Sequence, residues 1–204
     1  MSSWQYTPLR RGFETYMGYL GGGEDYWLHG TDRELDFWQD DAPVFNYTCW
    51  EKNDCPHEFY SANIFASKAV DVIDAAAKQP KKLFLYLAWQ SVHSGGELQL
   101  QAPQDYIDSF NATVPLAGPL KTKRRELAAM IRSMDDGVGI VTAALHRNNM
   151  MDNTLIVFST DKQVPAAFFA PSSVHVSAKH LSFHPGDIRM VGLRVYFGRQ
   201  WGSC

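Results

Sequence analysis

His93 and Asp161 are the two side chains in this 204-residue chain whose type and position best suit chemistry. Each stands at the end of an apolar run. Leu83-Phe84-Leu85-Tyr86-Leu87-Ala88-Trp89 precedes His93 by four residues, and Leu155-Ile156-Val157-Phe158-Ser159-Thr160 runs directly into Asp161. An imidazole that titrates near neutrality can hand a proton to a departing oxygen. A carboxylate at the end of a strand can hold a metal at the rim of a parallel sheet. Lys162 follows Asp161 and brings an ammonium, which has no lone pair to offer, to the place where a cation would sit. Two thiols, Cys49 and Cys55, lie close together in a polar stretch. They suit a small disulfide loop, the alternative being two unrelated thiols, and Cys204 is then the odd one out. Asn46-Tyr47-Thr48 and Asn111-Ala112-Thr113 are acceptor triplets for N-glycosylation, with Asn46 and Asn111 the modified residues.

Topology must bring His93 and Asp161 together, because 68 residues separate them. Phe65, Ala69, Val72, Ile73 and Ala76 mark one face of a helix that starts near Ser61 and stops before Pro80. The apolar run 83–89 reads as a strand buried on both faces. Leu127, Met130, Ile131, Met134, Val138, Val141 and Leu145 keep a 3.6-residue period through a long helix from about Lys121 to Asn148. Gly137 and Gly139 weaken that helix, and their use is close approach to a neighbouring element. Strand, loop, helix and strand form a βαβ crossover, so the strands 83–89 and 155–160 are expected side by side and parallel. His93 and Asp161 then share the carboxyl edge of the sheet. Residues 1–60 read as long loops with one short helix, and 90–120 as a loop with one helical turn. Past Lys162 the pattern breaks. Residues 174–176 and 194–197 are the only further strand candidates, and Lys179 and His180 the only further polar groups of interest.

Composition excludes several classes. Hydrophobic residues make up 45% and aromatic residues 13%, which predicts a folded core rather than disorder. A net charge of −3 and one short basic cluster, Lys121 to Arg125, argue against nucleic acid as a partner. No apolar run reaches the roughly 20 residues of a membrane span. Met1 to Tyr6 lacks the form of a signal peptide.

The same residues resemble the sulfatase family, and within it the arylsulfatase B type (N-acetylgalactosamine-4-sulfatase). The resemblance is carried by Arg10-Arg11-Gly12-Phe13-Glu14-Thr15-Tyr16-Met17-Gly18-Tyr19, Glu24-Asp25-Tyr26, Tyr60-Ser61-Ala62-Asn63-Ile64-Phe65, the block from Leu83 to His93 ending Gln90-Ser91-Val92-His93, Ser133 to Gly139, and Asn153 to Asp161. It implies an α/β, alkaline-phosphatase-like domain with a mostly parallel sheet and flanking helices, incomplete here. Residues 1–161 would be a partial catalytic domain and 162–204 a divergent tail. It also implies a sulfuric ester hydrolase that uses a formylglycine nucleophile and calcium, acts on sulfated glycans or aryl sulfates, and resides in the lysosome or is secreted as a glycoprotein. His93 would be the substrate-facing histidine and Asp161 a calcium ligand.

The departures from that pattern matter as much. Formylglycine arises in a Cys/Ser-x-Pro-x-Arg motif. Of ten prolines only Pro8 has Arg two positions on, and Tyr6 stands where Cys or Ser must be. The nucleophile is therefore absent. Lys162 replaces the asparagine that partners the metal aspartate, Gln163-Val164 replaces a glycine pair, and Ser94-Gly95 follows His93 in place of a Glu-Pro type pair. The chain is expected to be inactive as it stands. The alternatives are a non-catalytic sulfatase-like binding or regulatory variant, and a related phosphatase or phosphodiesterase.

Overall fold

The computed structural model describes residues 3–31, 34–49, 55–96, 99–111, 121–159, 175–177 and 188–194. Two helices form its backbone. Helix α1, Ser61–Ala76, buries Ala62, Phe65, Ala69, Ile73 and Ala76 at i, i+3, i+4 and i+7 spacings. Helix α2 is short, Gln104–Ser109. Helix α3, Lys121–Arg147, packs on α1. It stops at Asn149, whose φ of 54° is left-handed. The Met150 amide donates to the Leu145 carbonyl and the Asn149 amide to that of His146, which satisfies the last carbonyls of the helix. Arg147 and Asn148 both donate to Asp74, tying the ends of α1 and α3 together.

The buried stripe of α3 differs slightly from the sequence expectation. Met130, Ser133, Ala144 and Leu145 are buried, while Ile131 is 47% exposed. Gly137 behaves as its position in the stripe predicts. A Cβ there would meet the Trp89 ring at 2.6 Å, whereas a Cβ on Gly139 would meet nothing within 4 Å.

Strands β1 (Thr15–Gly18), β4 (Trp38–Gln39), β5 (Ala42–Pro43), β6 (Lys82–Leu87) and β9 (Ile188–Arg194) make one sheet in the order β5-β4-β1-β9-β6. Strands β2 (Gly30–Thr31) and β3 (Glu34–Leu35) form a second, and β7 (Ile156–Phe158) and β8 (His175–Ser177) a third. The expectation of a mostly parallel sheet is overturned. Among the described residues β1–β4, β4–β5, β2–β3 and β7–β8 are antiparallel, against the two parallel pairs β1–β9 and β6–β9. The fold is α/β with a small mixed sheet. Part of the reason is local: β2–β3 and β4–β5 lie in residues read as loops and are hairpins, which pair antiparallel.

The expected crossover fails too. β6 pairs with β9 and β7 with β8, so the two apolar runs are not neighbours in one sheet. They meet only as side chains, with Leu83, Leu85 and Ile156 packed against Ile73, Ala144 and Leu145. Nor is β6 buried on both faces. Leu83, Leu85 and Leu87 turn inward, whereas Phe84 and Tyr86 are 45% and 46% exposed.

Candidate functional site

β1 and β6 both run parallel to β9, which lies between them, with Gly18 beside Arg194 and Leu87 beside Leu193. Both strands therefore end on one edge of the sheet. The chain after β1, residues 19–30, and the chain after β6, residues 88–103, emerge together there. This is the carboxyl edge where α/β sheets gather their ligands. It carries His93, and the segment beside it among the described residues is the one after β1.

The 19–30 segment is held by an unusually polar interior. Tyr19, Glu24, Asp25, Tyr26 and His29 are all at most 3% exposed. The Tyr19 hydroxyl lies 2.8 Å from His29 Nδ1 and 3.3 Å from Gln90 Oε1. His29 Nε2 lies 3.0 Å from the Phe59 carbonyl, which can only accept. Nε2 therefore carries the proton, and Nδ1 accepts from Tyr19. Burial pushes His29 down to about 4, so the ring is neutral. Burial, and then the Asp36 carboxylate nearby, push Glu24 up to about 8. Asp36 itself accepts from the amides of Leu20 and Gly21 and from Trp38 Nε1. Asp25 accepts from the amides of Trp27 and Leu28 and from Gln101 Nε2 at 2.6 Å.

The His93 segment is fastened to this interior at three points. Gln90 Nε2 donates to the Glu24 carbonyl at 2.6 Å. The Tyr26 hydroxyl donates to the His93 carbonyl at 2.9 Å. Gln101 donates to Asp25 and accepts from the Tyr26 amide at 2.9 Å. Gly95 lets the backbone pass over Gln101 and the Tyr26 ring, where a Cβ would lie 2.2 Å from Gln101 Oε1. The Ser91–Val92 peptide is cis. His93 is partly buried. Its Nδ1 lies 2.7 Å from the Ser94 carbonyl, so Nδ1 is the donor in that bond.

The other residues singled out by the sequence fall elsewhere. Cys49 and Cys55 are joined in a disulfide with Cα atoms 5.7 Å apart. Asn46 and Asn111 are both exposed. Asp161 lies outside the described residues, as do Lys162, Lys179 and His180. Among the described residues no three His, Cys, Asp or Glu side chains converge on a point that could hold a metal. The buried acids of the 19–30 segment and Asp36 are engaged otherwise: Asp25 and Asp36 accept from the donors just named, and Glu24 keeps its proton at neutral pH. No helix among the described residues is long and apolar enough to cross a membrane.

Sequence reasoning missed Tyr26, His29 and Gln101 as site-building groups. Their signal was present. A Glu-Asp-Tyr run between glycine turns is an odd sequence for an exposed loop, since Tyr needs a packing surface. Which strand it would follow could not be read.

The sulfatase family model matches residues 2–164. Mouse arylsulfatase J is 31% identical over 159 residues, which are 76% of this chain and 23% of that protein. The arylsulfatase of Klebsiella aerogenes is 24% identical, with 97% of this chain and 50% of that protein covered. The crystal structure of Ps i-CgsB in complex with k-i-k-neocarrahexaose superposes with a TM-score of 0.60 at 27% identity, over 76% of this chain and 34% of that one. The chain thus spans about a quarter to a half of the length of these relatives. They include arylsulfatases without singling out the arylsulfatase B type.

Proposed function

This chain belongs to the sulfatase family, and from that premise we propose that it is a portion of a sulfuric ester hydrolase of the arylsulfatase type, with His93 facing the sulfate. One observation carries the reading. His93 stands on the carboxyl edge between two co-directional strands, in a segment fastened at three points, with Nδ1 committed to the Ser94 carbonyl. A protonated His93 ring could donate to a sulfate oxygen, including a departing one. The arylsulfatase B type remains the finer reading, supported by the Arg10–Tyr19 and Gln90–His93 blocks. A sulfated glycan substrate is supported by the k-i-k-neocarrahexaose held in the Ps i-CgsB complex. Lysosomal or secretory residence, with N-glycans on Asn46 and Asn111, is supported by the Cys49–Cys55 disulfide and the exposure of both asparagines.

The chain as it stands has no Cys/Ser-x-Pro-x-Arg motif and so no formylglycine. Asp161, the calcium ligand of this reading, is followed by Lys162, which leaves calcium weakly held. The chain is therefore a sulfate-recognising piece without turnover. The test is a titration of the full chain with sodium sulfate and, separately, sodium phosphate, following the His93 ring resonances. A saturable shift with sulfate that is weaker with phosphate supports the reading. A preference for phosphate would favour the phosphatase alternative, and silence to both would reject the assignment of His93.

A further inference from the structure

We propose that Gln101 is a positioning residue for His93: its buried carboxamide ties the loop that carries His93 to Asp25 and Tyr26, and Gly95 makes the room that this contact needs. The role deepens the sulfatase reading, and its bearing on sulfate rests on that reading.

The partners of Gln101 dictate how its carboxamide lies. The Tyr26 amide can only donate, so the atom it meets at 2.9 Å is Oε1. The Asp25 carboxylate accepts, so the atom 2.6 Å from it is Nε2. Asp25 also accepts from the amides of Trp27 and Leu28, which fixes the turn that Gln101 grips. The Gln101 carbonyl accepts from the Tyr60 hydroxyl at 2.9 Å, so backbone and side chain are both held.

Two routes lead from Gln101 to His93. One runs through Tyr26. Its amide meets Gln101, and its hydroxyl, which also meets Ser91, donates to the His93 carbonyl. The other runs through the loop. Gly95 lies two residues past His93, and its amide donates to the Gln99 carbonyl at 2.8 Å. A Cβ on Gly95 would lie 2.2 Å from Gln101 Oε1 and 3.3 Å from the Tyr26 ring. That oxygen ends a flexible side chain, but moving it breaks both bonds of the carboxamide. Gly96 is the contrast, because a Cβ there would meet Asp25 at 3.7 Å, an ordinary contact. Neither glycine has a left-handed φ, so space and not backbone conformation separates them.

Gln101→Glu makes the contact depend on pH. The new carboxyl keeps the oxygen that accepts from Tyr26 and sets a second one against Asp25. Two carboxylates that close share a proton in acid and repel once it is lost. The buried groups around them stay uncharged between about pH 5 and about pH 7.5. Burial keeps Tyr19, Tyr26 and Tyr60 protonated, Glu24 protonated up to about 8 and His29 neutral down to about 4. Gln104 supplies the control. Its Nε2 donates to Asp108 at 2.9 Å on the exposed side of α2, so Gln104→Glu makes the same change away from His93.

The experiment uses the full chain labelled with 15N-histidine, with His93→Ala to assign the ring signals. Each variant is compared with wild type at the same pH, and urea midpoints are measured alongside. The Gln101→Glu variant is expected to show wild-type His93 signals at about pH 5 and displaced ones at about pH 7.5, with its midpoint falling between the two. Gln104→Glu should leave His93 unmoved at both. Where wild type binds sulfate, Gln101→Glu is expected to bind it several-fold more weakly at the higher pH. His93 signals that stay wild-type at the higher pH while the midpoint falls would mean that Gln101 only stabilises the fold, and would overturn the proposal. An equal displacement in Gln104→Glu would overturn it too. Displacement confined to Gln101→Glu in a chain whose His93 ignores sulfate would uphold the positioning and reject the sulfatase site. If Gln101→Glu does not fold, or its midpoint does not move, the glycines decide: His93 signals displaced in Gly95→Ala and unmoved in Gly96→Ala support the proposal, and any other pattern overturns it.

Discussion

The Trp89 ring occupies the space that a Cβ on Gly137 would need, with its nearest carbon 2.6 Å from that position. Trp89 lies at the start of the segment that carries His93, so α3 and the site-bearing edge touch at a point where a Cβ on residue 137 would force a ring to move. Two residues further along the same helix, on the other side, Gly139 has open space around it. The two glycines should answer alanine in opposite ways. Gly139→Ala is expected to stabilise the chain by about 1 kcal/mol, the ordinary helix-propensity gain. Gly137→Ala gains the same propensity but must displace a ring, and is expected to destabilise the chain by about 1–3 kcal/mol. Urea midpoints of the two variants check this, and a stabilised Gly137→Ala would remove the contact from the account.

Two buried groups set a pH dependence with a definite sign. A carboxyl whose folded pKa is raised costs nothing below its unfolded value, and the cost grows as pH rises through the interval. For Glu24 that interval runs from 4.5 to about 8. A histidine whose folded pKa is lowered costs nothing above its unfolded value, and the cost grows as pH falls. For His29 the interval runs from 6.5 down to about 4. Between 4.5 and 6.5 the two slopes oppose each other and cancel. Between 6.5 and about 8 Glu24 acts alone, and stability is expected to drop by about 2 kcal/mol. Glu24→Gln carries no titrating group and should flatten the curve above pH 6.5. Chemical denaturation at four pH values reads this directly, and an unflattened curve would place the titrating group elsewhere.

The Cys49–Cys55 bridge closes a loop with a sequence separation of 6. Chain-entropy arguments give such a short loop about 2 kcal/mol. Paired Cys49→Ala and Cys55→Ala substitution should lower the thermal midpoint by several degrees, and reductant should do the same to the unsubstituted chain but not to the double variant. A double variant that remains sensitive to reductant would show that this bridge is not the one that matters.

Residues 188–194 form the central strand between β1 and β6, pairing with both. A chain ended after Asp161 would leave two strand edges bare on the site-bearing sheet, and bare edges aggregate. The shortened chain is expected to lose its cooperative unfolding transition and to elute in the excluded volume on gel filtration. A monomeric shortened chain with a sharp transition would show that the sheet stands without β9.

Much of the helical frame was legible in advance. The period of Phe65, Ala69, Ile73 and Ala76 fixed α1, and that of Met130 to Leu145 fixed α3 to within a residue or two. The run ending in His93 was legible as a strand. The partners of that strand were not. A stretch of Val, Ile, Leu and Phe carries no label for which strand lies beside it, and the crossover rule supplied β7 where the structure supplies β9. The small strands of the first 45 residues were hidden because two-residue ladders have no period to detect. The site suffered in proportion. His93 was singled out as an imidazole just after a strand and by the family resemblance, and Asp161 was paired with it by a crossover that the described strands do not make. Tyr26 was quoted only as part of a run of matching residues, since its role depends on a carbonyl 67 positions away.

The central claim is that the chain carries a sulfate-facing histidine without a complete hydrolytic site. The purified full chain, incubated with a chromogenic aryl sulfate and millimolar calcium, tests it most directly. Product release at the level of the blank, identical in wild type and His93→Ala, is the expected result. Release above the blank that His93→Ala abolishes would contradict it, because turnover would then be running without the nucleophile this family requires.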